Sequence, residues 1–98
     1  MNYVLEVCVD SVESAINAYE GGATRIELCS NLIIGGTTPT VSLYKEIRKI
    51  VPIDINVLIR PRYGDFCYTN SEFNIIKEDI SYTRQHVVPF DELQIQKL

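Results

Sequence analysis

Apolar and β-branched residues crowd positions 3–9 (YVLEVCV), a pattern that predicts a strand covered on both faces. Asp10 or Ser11 is suited to cap a helix after it, with Glu13 at capping-box distance from Asp10. Val12, Ala15, Ile16 and Tyr19 then recur at the helical interval, and Gly21 and Gly22 end the run. The same order follows twice more. Residues 24–29 predict a second strand; after the loop SNLIIGGTTP, Pro39 is suited to the first turn of a helix carrying Val41, Tyr44 and Ile47. Pro52 precedes a third strand at 53–59. The loop RPRYGDFCY leads to Thr69, which has Glu72 three residues on and opens a helix bearing Phe73, Ile76 and Ile80.

Strands separated by helices of this length run parallel, because each crossover returns the chain to the same end of the sheet. Side-chain parity then separates two faces. Leu5, Val7, Val9, Ile26, Leu28, Val57 and Ile59 fall on one, and Glu6, Cys8, Arg25, Glu27, Cys29, Asn56, Leu58 and Arg60 on the other. An open sheet with helices on both sides needs two apolar faces. One aliphatic and one polar face per strand instead predicts the α/β architecture of a (β/α)8 TIM barrel, with helices outside and the polar face inside. Cys8, Cys29 and Arg60 sit at C-terminal strand ends, the rim where barrels of this kind bind ligands.

Charge and composition narrow the function. With a net charge of −4 and nine scattered Lys and Arg residues, the chain lacks the basic surface that nucleic acid requires. Its apolar runs are broken by Asp54 and Asn56 and fall short of the roughly 20 residues of a membrane helix. Glu6 and Asp10 occupy the region where a secretory signal would be basic and then apolar, so a cytoplasmic protein is expected. Three cysteines, an odd number, favour free thiols over disulfides.

The polar face carries the candidate chemistry. Cys8 and Cys29 are expected at matching heights on neighbouring strands, about 5 Å apart, where paired thiolates would suit Cu(I). The alternative is that both are small buried residues. Glu6 and Glu27 lie one layer deeper and need partners; Arg25, Arg60 and Arg62 supply either an ion-pair network or a pocket in which one glutamate is the general acid or base. Arg60 and Arg62 beside Gly35 and Gly36 also fit a small anionic ligand held by guanidinium forks and backbone amides. Cys67 reads as a packed loop cysteine, and His86 receives no role.

Four motifs together, LEVC on the first strand, GGATRIELC into the second, GGTTPT before the second helix and IRPRYGDFCY after the third strand, resemble the CutC family. The resemblance implies a barrel of that type, cytoplasmic and associated with copper homeostasis, with copper as the possible ligand. It spans residues 1–85 and about three of eight strand-helix units. Residues 86–98 (HVVPFDELQIQKL) are expected to form a tail that departs from the family pattern. A truncated barrel of this kind would have open strand edges, a route to self-association.

Overall fold

The computed structural model describes residues 3–86 and 93–97. Its elements are β1 (Glu6–Val9), α1 (Val12–Glu20), β2 (Arg25–Leu28), a 3-10 turn (Leu32–Ile34), α2 (Val41–Arg48), β3 (Asp54–Ile59), α3 (Asn70–His86) and β4 (Leu93–Lys97). The four strands form one parallel sheet in the order β1-β2-β3-β4. The expected strand-helix alternation is present, and the segment expected as a tail contributes β4 beside β3.

The aliphatic face packs as parity requires. Val9, Ile26, Leu28, Ile55, Val57 and Ile59 from the strands are buried against Ala15, Tyr44, Ile47 and Ile76 from the helices, with Val51 between them. Burying each of these larger side chains contributes on the order of 1.5–3 kcal/mol. Arg48 closes the bottom of this core: its guanidinium donates to the carbonyls of Ile53 (2.9 Å) and Val51 (3.4 Å) and lies over the Tyr44 ring.

Several local expectations are resolved or corrected. Ser11 is the cap of α1, its Oγ accepting from the Ser14 amide at 3.0 Å, while Asp10 turns to the Leu32 amide. α2 begins at Val41 and is capped by Thr40 rather than opening at Pro39; the Thr40 hydroxyl accepts from Leu43 N–H. Thr38 is drawn away from the helix because it bonds the Arg60 backbone in both directions. Thr69 and Glu72 do form the reciprocal capping box at the start of α3. Residues 3–5 are not covered on both faces: Tyr3 and Val4 are 62% exposed, because β1 is an edge of the described sheet. Of the apolar residues read on this helix, Phe73 is half exposed beneath Lys77 and Ile76 is buried.

Candidate functional site at the strand ends

Strand register decides which polar side chains meet. Glu6 stands opposite Arg25, and Cys8 opposite Glu27, so the two similar tetrapeptides are offset by two residues. The expected matching height of Cys8 and Cys29 is therefore corrected: Cys29 lies one step nearer the strand end, at a diagonal Cα spacing of about 8 Å. Sequence likeness aligned the tetrapeptides with each other, whereas barrel strands are staggered and the stagger sets the register.

The deepest described polar group is an ion pair. Arg25 Nε donates to Glu6 Oε2 at 2.6 Å, and Asn56 Nδ2 reaches the same oxygen at 3.2 Å. Asn56 is buried, and its Oδ1 has no hydrogen-bond partner. Sequence reading placed Asn56 on this face and gave it no role; an amide inside an otherwise aliphatic strand was the available signal. Glu6 is thereby committed to structure, which fits the ion-pair alternative for this carboxylate.

One row higher, the Cys8 thiol donates to Glu27 Oε1 at 3.6 Å. Burial and the neighbouring Glu27 carboxylate both push the Cys8 thiol above its ordinary pKa. Glu27 has this thiol as its side-chain partner among the described residues and no arginine. In the row above, Cys29 is 1% exposed, donates to the Val9 carbonyl, and lies under Gly36. Burial, then Asp10, Cys8 and Glu27, push its thiol up to about 11. Cys8 is exposed. The rim thus presents one accessible thiol, one carboxylate and a second thiol sealed beneath a loop.

The two arginines are spent on loops. Arg60 is buried and donates to the carbonyls of Gly36, Gly64 and Ile34, with its guanidinium over the Phe66 ring. Its Nε lacks a partner. Arg62 makes a bidentate pair with Glu72 and donates to Asp65 and to the carbonyls of Tyr63, Asp65 and Cys67, over the Tyr68 ring. Arg60 braces the loops after β2 and β3, Arg62 ties the loop after β3 to α3, and neither presents a free fork at the rim. Sequence reading chose the right residue type for strong polar contacts and assigned the contacts to a ligand. Cys67 is exposed, and its carbonyl helps to hold Arg62.

A separate cleft of about 490 Å³ opens between the start of α2 and α3, lined by Thr38, Thr40, Ser42, Asp79 and Thr83 among others. Among the described residues, His, Cys, Asp and Glu form no group of three or more that would hold a metal ion, and no helix is long and apolar enough to cross a membrane.

The family model described as CutC family matches residues 3–92. A mouse (Mus musculus) protein named copper homeostasis protein cutC homolog is 54% identical over 78 residues, covering 80% of this chain and 29% of its own length. A Vibrio vulnificus family protein CutC is 49% identical over 85 residues, covering 87% and 34% respectively. The crystal structure of a CutC protein from Streptococcus agalactiae superposes with a TM-score of 0.77 at 33% identity, over 93% of this chain and 44% of that one. The chain spans about a third of the length of the curated relatives it matches. The fold is accordingly part of a (β/α)8 barrel.

Proposed function

Because the chain belongs to the CutC family, we propose that it serves in copper homeostasis, the role its relatives are named for, by holding Cu(I) between the Cys8 and Cys29 thiolates. One observation carries this reading. Both thiols lie on the polar side of neighbouring strands, Cys8 within β1 and Cys29 directly after β2, one layer apart by the strand register. Two soft sulfur donors suit Cu(I) better than the harder divalent ions, which take more oxygen or nitrogen ligands.

The thiols fit copper with a condition attached. Both are held in the protonated form, so the ion must displace two protons and Cys29 must emerge from beneath Gly36. Cys8 is the entry ligand, since it is already exposed. Glu27, hydrogen-bonded to that thiol, is placed to take its proton. The anionic-substrate alternative loses its clamp, because Arg60 and Arg62 are occupied by main-chain carbonyls and by Glu72.

Titration with Cu(I) against a competing chelator tests the proposal. One ion per chain is expected, with binding weakened at least about tenfold in Cys8→Ser and in Cys29→Ser and weaker still in the double variant. Unchanged binding in the double variant would exclude these ligands.

A further inference from the structure

The cleft of about 490 Å³ between the start of α2 and α3 is lined by neither Cys8, Cys29 nor Glu27. Its size falls in the range of about 300–1,000 Å³ usual for small-molecule sites. One wall is the first turn of α2. Thr40 Oγ1 accepts from the Leu43 amide, whereas the amides of Val41 and Ser42 have no partner within the helix and none elsewhere among the described residues. That turn carries no acidic side chain, so its partial positive charge is uncompensated. The other wall is the face of α3 with Asp79 and Thr83 one turn apart. Asp79 is half-buried, and its carboxylate makes no hydrogen bond or ion pair among the described residues. Burial, then the neighbouring Glu78, push this carboxyl above its ordinary range. Thr83 is 5% exposed, and its hydroxyl also has no hydrogen-bond partner among the described residues. A polar side chain this deeply buried is normally bonded. Its lack of a partner in the wall of a cleft points to a ligand.

We infer that this cleft binds a small aminocarboxylic acid as its zwitterion, with the carboxylate on the Val41 and Ser42 amides and the ammonium on Asp79. The two walls select that class because each disfavours what the other alone would accept. A simple anion suits the α2 terminus and is repelled by Asp79. A simple cation suits Asp79 and is repelled by the terminus. A molecule carrying both charges satisfies both walls at once. Pro39, Pro61 and Ile75 offer apolar surface to its carbon skeleton, and the Ser42 and Thr83 hydroxyls can donate or accept beside either charged end. Arg60 also lines the cleft, but its guanidinium is held by the carbonyls of Gly36 and Gly64, which leaves the carboxylate to the helix amides. The approach to those amides is fixed, since Thr38 bonds the Arg60 backbone in both directions.

The inference is independent of copper binding and is tested without metal. Glycine, 4-aminobutyrate and 6-aminohexanoate, which grade the separation of the two charges, are titrated into the 98-residue chain and followed by amide chemical shifts. At least one is expected to bind with a Kd of about 1 mM or tighter, shifting the amides of Val41, Ser42, Asp79 and Thr83. Acetate and methylammonium, with one charge each, are expected to bind at least about tenfold more weakly. Asp79→Asn should weaken the best probe at least about tenfold. Val41→Pro deletes one amide at a helix position that tolerates proline and should weaken it at least about threefold. The shift map of the unaltered chain decides the matter should either variant fail to fold. No binding by any of the three probes, shifts confined to other residues, acetate or methylammonium binding as tightly, or full affinity in folded Asp79→Asn would each overturn the inference.

Discussion

The Arg60 guanidinium and the Gly36 carbonyl meet at 2.9 Å, and the same side chain reaches the Gly64 carbonyl at 2.9 Å. One residue at the end of β3 therefore ties the loop after β2 to the loop after β3. Both loops roof the strand ends, and Gly36 itself covers Cys29. Access to the buried thiol is governed by this brace.

Replacing Arg60 with Met would remove the donor to three carbonyls at once and leave that of Gly36 unsatisfied in a buried place. A stability loss of about 2–4 kcal/mol is expected in denaturant unfolding. Lysine would not rescue it, since an ammonium cannot span both loops with a planar fork. Full recovery by Arg60→Lys would show that charge alone matters here.

Gly36 has φ +91°, and an added Cβ would lie 2.9 Å from Leu58 Cδ2 and 3.3 Å from Cys29 Sγ. Gly36→Ala is expected to cost about 1–3 kcal/mol from the backbone conformation, with further loss from the contact. The lifted loop should also speed labelling of Cys29. Thermal unfolding and thiol labelling, measured together, separate the two effects.

Arg62 and the Thr69 amide hold the Glu72 carboxylate below its ordinary pKa. A depressed carboxylate adds stability above its unfolded pKa, and that contribution is lost as pH falls through the folded value. The folded chain should therefore weaken from about pH 4.5 downward. Arg62→Met should reduce this acid-side slope, by a small amount because the pair is partly solvated. An identical slope in the variant would mean that other carboxylates set the acid limit.

Cys29 titrates at about 11, against an ordinary value of 9.0. The raised thiol favours the folded state while it stays protonated, and between those two values the unfolded chain loses its proton first, so stability declines as pH rises across that window. Alkylation by iodoacetamide should modify Cys8 well before Cys29, with Cys29 reacting appreciably only towards pH 11. Equal rates at neutral pH would contradict the sealed position of Cys29.

Much of the fold was legible because it depends on periodicity. Ile26 and Leu28 alternate with polar neighbours, Val57 and Ile59 are flanked by Asn56 and Arg60, and that parity assigned the helix-facing side and the barrel class. Register was not legible, because no residue in β1 or β2 announces the stagger that sets Cys8 against Glu27 instead of Cys29. Arg60 and Arg62 were recognised as chemically loaded, but carbonyl acceptors such as Gly36 and Gly64 leave no mark in a sequence. The start of α2 at Thr40 and not at Pro39 was not legible either, because the segment before it is held by the distant Arg60 backbone through Thr38.

Copper K-edge X-ray absorption on the Cu(I)-loaded chain tests the central claim most directly, because it reads the atoms bound to the metal. The account predicts a first shell of two sulfur atoms, lost in the Cys8→Ser, Cys29→Ser double variant. A shell of nitrogen or oxygen atoms, or a sulfur shell that survives in the double variant, would contradict it.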